Sequence, residues 1–181
     1  VAGAGPRATP TFHAAKLYTL GGGGVLNCLE AATGRTVWTH DIAKDADAKP
    51  PQWGFSSSPL VTSGMVVVFA GGKDGQSVLA YDAESGERRW SGGQGKHSYS
   101  SPQSLQIAGV DQVLMVSDHG LEAFAPDTGD LLWQHEWHKS ELFRVCQPLV
   151  VGPGQVLLGT GMGVGTRLLE ITKSGDEWQV T

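Results

Sequence analysis

Short apolar runs separated by glycine-bearing turns recur along the whole 181-residue chain. Residues 58–92 display the pattern as "SPLVTSG", "MVVVFAGG", "SVLAYDAESG" and "ERRWSG", four apolar or alternating runs each closed by a turn with glycine. Apolar positions at i, i+3, i+4 and i+7 are not sustained over any window of about 11 residues, whereas turn-bounded runs of about 4–8 residues are what strands require. The pattern predicts an all-β chain of short antiparallel strands.

The runs belong to a repeat. "AYDAESGERRW" (80–90) aligns with "CLEAATGRTVW" (28–38) and "AFAPDTGDLLW" (123–133), and more weakly with "LEITKSGDEW" (169–178), which lacks one residue between Gly and Trp. The turn glycines Gly34, Gly86, Gly129 and Gly175 stand 52, 43 and 46 residues apart, and a proline follows a polar residue upstream of each, at Pro10, Pro59, Pro102 and Pro148. Four strands per unit of about 45 residues predict propeller blades. The units fall at about 5–46, 51–95, 97–140 and 142–181.

In each unit the glycine supplies a backbone with positive φ to the last hairpin, and Asp82 and Ser85 are placed to bond local amides there. Trp38, Trp90, Trp133 and Trp178 then fall on outermost strands. Each ring is expected to cover the edge of its own sheet and to pack against the next blade, with small Ala80 and Ala123 leaving room. Trp90→Ala and Trp133→Ala are each expected to cost about 3–5 kcal/mol.

The pattern A-x-D-x-x-T/S-G-x-x-x-W resembles the tryptophan-docking motif of the PQQ-binding-like β-propeller repeat family, which includes quinoprotein alcohol dehydrogenases and BamB-like proteins. Ala80, Asp82, Ser85, Gly86 and Trp90 match it fully; Cys28 and Glu30 replace Ala and Asp in the first unit, and Ala125 takes the acidic position in the third. In the fourth unit Leu169 and Ile171 stand at the Ala and Asp positions. The resemblance spans essentially the whole chain. It implies a propeller of about four blades that forms part of a seven- or eight-bladed ring, either within a longer protein or with a second copy completing the circle; a closed four-bladed ring is the alternative.

Net charge is −5 and no Lys/Arg run exceeds two adjacent residues, which lacks the basic footprint that nucleic acid demands. The longest apolar run, "MVVVFA" (65–70), falls far short of the ~20 residues that span a bilayer. The opening "VAGAGPRATP" has no initiator Met, basic segment or long apolar stretch, so either a leader has been removed or the chain is a piece of something longer. Cys28 and Cys146 form no CxxC or adjacent pair and are expected to be free buried thiols, with a disulfide as the alternative.

Candidate chemistry lies in the segments before the repeated prolines, where a propeller gathers its channel mouth. Arg7, Trp53, Tyr99 and Arg144 occupy comparable places in the four units. Two guanidiniums and two aromatic faces could hold a planar carboxylate or a peptide end. In the plainer reading the aromatics fill the channel and the arginines bond strand-end carbonyls. "GTGMGVGTR" (159–167) fails G-x-G-x-x-G and reads as an irregular hairpin; "HEWH" (135–138) lacks metalloprotease spacing, and "SDHG" (117–120) reads as a turn. No catalytic, cofactor-binding or metal-ligating residue is assigned.

The expected function is therefore a non-catalytic protein-binding or scaffold module, periplasmic or otherwise extracytoplasmic as the resemblance implies, with Trp53, Trp137 and Arg144 on rim loops toward a protein partner. The alternative is a fragment of a quinoprotein oxidoreductase that uses pyrroloquinoline quinone and calcium. Such enzymes, by the resemblance, stack the quinone on an adjacent-cysteine disulfide, and no Cys-Cys pair occurs here.

Overall fold

The computed structural model describes residues 5–137, 145–161 and 163–181. Among them, sixteen strands form four four-stranded antiparallel sheets, each built from consecutive strands paired in chain order. The first holds β1 (Thr11–His13), β2 (Lys16–Leu20), β3 (Val25–Glu30) and β4 (Thr36–Asp41), followed by one helical turn, α1 (Ile42–Asp45). The second holds β5 (Leu60–Thr62), β6 (Met65–Phe69), β7 (Val78–Asp82) and β8 (Arg88–Gly92). The third comprises β9 (Gln103–Ile107), β10 (Val110–Val116), β11 (Gly120–Phe124) and β12 (Leu131–Glu136), and the fourth β13 (Leu149–Gly152), β14 (Gln155–Thr160), β15 (Gly165–Ser174) and β16 (Glu177–Val180).

No sheet has a core of its own. Side chains alternate across a strand, so each sheet offers two faces. Tyr18, Leu20, Leu26, Cys28 and Trp38 of the first sheet pack on Val66, Val68, Leu79 and Tyr81 of the second. The second sheet's other face, with Val67, Phe69, Val78, Ala80 and Trp90, meets Val113, Met115 and Phe124 of the third. Leu114, Val116, Leu121, Ala123 and Trp133 then meet Val156, Leu158, Leu169 and Ile171 of the fourth. Burial on both faces explains why "MVVVF" is continuously apolar, since neither side of β6 faces water. The outward faces of the first and fourth sheets have no such cover, and Phe12 and Leu149 are 67% and 60% exposed.

The last hairpin of each sheet decides how the next one sits. In the first three, Gly34, Gly86 and Gly129 have φ of +74, +76 and +76°, and each amide donates to the carbonyl four residues back. A register shift follows at Cys28, Ala80 and Ala123. That extra residue brings Trp38, Trp90 and Trp133 opposite those small side chains, on the face toward the following sheet. The Trp38 indole N–H donates to the Ala83 carbonyl of the second sheet at 3.1 Å, and Trp90 to that of Pro126 in the third at 3.0 Å. Beneath these rings only glycine fits. A Cβ on Gly86 would lie 2.7 Å from Cγ of Trp38, and one on Gly129 2.5 Å from Cδ2 of Trp90.

The fourth sheet differs. Its hairpin pairs Ser174 with Glu177 across two residues and has no register shift. The residue missing between Gly175 and Trp178 offsets the missing bulge, so Trp178 keeps the face of Leu169, which stands at the motif's Ala position, and in β15 that face is turned to the third sheet. Trp178 comes out beside Val180, opposite Lys173 and Ile171 in register, and packs half-buried on the cluster containing Trp133. It therefore faces back to the third sheet, unlike the forward-facing ring expected from the repeat. A Cβ on Gly175 would touch nothing, and Trp133 donates its N–H to Oε1 of Gln112 in its own sheet at 2.7 Å.

Gly34 shares the left-handed conformation of Gly86 and Gly129, but a Cβ there would meet no atom within 4 Å. Gly34→Ala should lower stability by about 1 kcal/mol from backbone strain alone, whereas Gly86→Ala and Gly129→Ala should each lose about 2–4 kcal/mol through added overpacking. Denaturant midpoints of the three variants check this, and equal losses would contradict the ring contacts.

Candidate functional site

The connectors that carry the chain from one sheet to the next meet the β2–β3, β6–β7 and β10–β11 hairpins at one end of the molecule. Phe55 N–H donates to the Gly22 carbonyl at 2.9 Å, and Asp118 N–H to the His97 carbonyl at 2.9 Å. Asp118 also caps the connector, its Oδ1 accepting from the amides of Lys96 at 2.7 Å and His97 at 2.9 Å. The "SDHG" turn is thereby structural.

The serines before the repeated prolines join successive sheets. Thr9 N–H donates to Oγ of Ser58 at 2.9 Å, and Ser58 N–H to Oγ of Ser101 at 2.8 Å. One residue earlier, Ser57 Oγ donates to the Ser100 carbonyl at 2.7 Å and Ser100 Oγ to that of Cys146 at 3.1 Å. Gln147 Nε2 continues the series to the Ser101 carbonyl at 3.2 Å. These bonds link all four repeats, because backbone groups at the ends of the first strands need partners and a short hydroxyl on the neighbouring repeat reaches them.

Beside this ladder the structure brings three of the four expected mouth residues together. The Arg7 guanidinium donates to the Trp53 carbonyl, and Trp53 N–H donates to the Tyr99 hydroxyl at 3.2 Å. The Trp53 and Tyr99 rings are 5.4 Å apart and inclined by 32°, and His97 meets Tyr99 edge-on at 4.7 Å. Arg7 is exposed and both aromatics are half-buried, so a cation and two ring faces border the same surface. Arg144 lies outside the described residues, as does His138 of "HEWH".

Several other residues take places that their neighbours in sequence do not reveal. Trp137, expected on a rim loop, is buried at 4% exposure beneath the Arg167 guanidinium, 4.3 Å from its ring centre. It packs in the interface between the third and fourth sheets. His135 contacts the same guanidinium, Nη1 to Nε2 at 2.9 Å, and burial, then that charge, pushes its pKa down. Both cysteines are free, but only Cys28 is buried, with its thiol pKa raised by burial; Cys146 is exposed. The expectation of two buried thiols fails because Cys146 precedes β13, whose sheet has no neighbour on its outward side.

Sequence reasoning passed over Glu122 entirely. Its side chain is 1% exposed in β11 and accepts from the Gln94 amide at 3.0 and 3.3 Å, bracing the connector that leads to Tyr99. Burial raises its carboxyl pKa, opposed by His119 and by the Gln94 amide. The folded protein therefore holds this proton to higher pH than the unfolded chain. The group's contribution is most favourable below the ordinary carboxyl value of 4.5 and falls as pH rises toward the raised folded value. Glu122→Gln should flatten that fall, so the variant gains on the wild type with rising pH in urea midpoints; a difference independent of pH would contradict it.

Face-to-face sheets, outer-strand rings and connectors gathered at one end define a repeat β-propeller. The chain belongs to the family described as outer membrane protein assembly factor BamB, whose profile matches residues 2–180. It is similar to the crystal structure of BamB from Moraxella catarrhalis, with a TM-score of 0.63 and 21% identity over 91% of this chain and 47% of that one. It thus spans about half the length of that relative. The quinohemoprotein alcohol dehydrogenase ADHIIG from Pseudomonas putida HK5 superposes with a TM-score of 0.56 at 17% identity, over 90% of this chain and 30% of the enzyme. The computationally designed Ika4 protein gives 0.55 at 19%, over 90% and 91%. At such identities the likeness shows the fold alone, and no curated protein sequence matches significantly.

Proposed function

We propose that this chain is a non-catalytic protein-binding module of an envelope propeller, periplasmic or otherwise extracytoplasmic, that offers its connector end to a partner protein. The observation that carries the reading is the Arg7–Trp53–Tyr99 arrangement, held by hydrogen bonds on loops of a rigid sheet stack. Arginine and large aromatics are the side chains that most often anchor protein interfaces. A photo-cross-linker at exposed Gln52 should capture one defined envelope protein, lost in Trp53→Ala and Tyr99→Ala; the same cross-linker at Asp127, in the β11–β12 hairpin of the opposite end, should not. Equal capture from both ends would contradict the proposal.

The outward sheet faces extend this reading to self-association. Phe12, Leu17 and Leu29 are register partners across β1, β2 and β3, and Leu149, Leu157 and Leu168 across β13, β14 and β15. Faces of this kind are covered wherever the chain has a neighbouring sheet, and a second copy completing the ring would cover both. Light scattering should give twice the chain mass, reverting to one chain in Leu168→Glu; a wild-type monomer would contradict it.

A quinoprotein reading is favoured only by the likeness to quinohemoprotein alcohol dehydrogenases from Pseudomonas putida HK5 and Comamonas testosteroni. The residues fit it poorly. Cys28 and Cys146 belong to different repeats, one buried and one exposed, and among the described residues no three His, Cys, Asp or Glu converge as metal ligands. Titration with pyrroloquinoline quinone and calcium should leave the quinone spectrum unchanged, and a saturable change would return the enzyme reading.

A further inference from the structure

The connector end carries a second feature. A concavity of about 390 Å³ is lined by Asp47, Ala48, Lys49, Gly71, Lys73 and Lys96. Its lysines come from three separate loops: Lys49 follows α1, Lys73 lies in the β6–β7 hairpin, and Lys96 in the β8–β9 connector.

Their backbones are held firmly. Ala48 N–H donates to the Ala43 carbonyl at 2.8 Å, and the Lys73 carbonyl accepts from Gln76 at 3.1 Å. The Lys96 amide is capped by Asp118, and its carbonyl approaches Gly71 so closely that a Cβ there would lie 2.7 Å away. The three side chains are exposed, and among the described residues none of the three ammonium groups forms an ion pair. Three of the seven lysines of a chain with net charge −5 thus share one hollow in which Asp47 is the sole carboxylate lining it. Like charges so gathered repel one another, and an anion relieves that repulsion.

The shape points to an extended ligand. Lys96 also lines a second hollow, of about 300 Å³, together with Gln94, Asp118 and His119. Lysines are hydrated point charges on flexible stems, suited to attracting a chain of carboxylates and poorly suited to fixing one small anion bidentately. We propose that this groove receives an acidic segment of the partner protein, an inference that rests on the protein-binding reading above.

The test uses fluorescein-labelled hexaglutamate and the full chain, read by anisotropy at about 20 and about 150 mM salt. Binding is expected at low salt and should weaken at high salt. The triple variant Lys49→Gln, Lys73→Gln, Lys96→Gln should lose about tenfold in affinity, the product of three modest exposed ion pairs. A charge-matched control, Arg35→Gln, Arg89→Gln, Lys173→Gln, should lose less than about twofold, since those positions lie outside the groove. Absence of wild-type binding, equal losses in both triples, or displacement of the peptide by inorganic phosphate at equal or lower concentration would each overturn the proposal. Circular dichroism checks that both triples fold. If Gln52 cross-linking persists in the lysine triple while hexaglutamate does not bind the wild type, the protein-binding reading stands and the acidic-segment assignment falls.

Discussion

Each sheet in this molecule can bury both of its apolar faces only by lying between two others, and an indole resting on a neighbour's turn glycine fixes how two sheets meet. The hydrophobic free energy is therefore shared between repeats, at about 25 cal/mol per Å² of apolar surface withdrawn from water. Trp38 and Trp90 each add an N–H to a carbonyl of the following repeat, which gives the contact a direction as well as an area. Stability of such a stack is a sum over interfaces, and a sheet at either end has a face left over.

Parity governs the rest. The bulge after Cys28, Ala80 and Ala123 keeps each outer-strand ring on the face of that small residue, toward the following sheet, whereas in β15 the corresponding face, with Leu169, Ile171 and Trp178, is turned to the preceding one. The fourth sheet thus sets its ring against its predecessor, where the first three set theirs toward their successors. The outward face of the fourth sheet carries Leu149, Leu157 and Leu168 beside Gln155, Glu170 and Thr172.

The fold was legible because its signals are local: run length, turn glycines and a period of about 45 residues. The shortened fourth hairpin was visible too, but its meaning depends on counting which face each residue occupies. Other features hide in the sequence because their causes lie a repeat away. The serines of "FSSSP" and "SYSSP" look like loop filler until Ser57 is seen reaching Ser100. Glu122 sits in "GLEAF", where alternation would leave it in water, yet both faces of β11 are covered. Trp137 looked like an interface residue because nothing near it in sequence announces Arg167. At the mouth, Arg7, Trp53 and Tyr99 could be placed together from their common position in each repeat, while the lysine groove could not, since it joins three dissimilar loops.

A double-mutant cycle on Trp90 and Gly129 tests the central contact most directly. If the indole lies on that glycine, Gly129→Ala should be costly in the wild type and should lose most of its overpacking cost in the Trp90→Ala background, where the ring is gone. The coupling energy should then be about 1–2 kcal/mol. Additive losses, with coupling below about 0.3 kcal/mol, would contradict the contact that fixes how the second and third sheets meet.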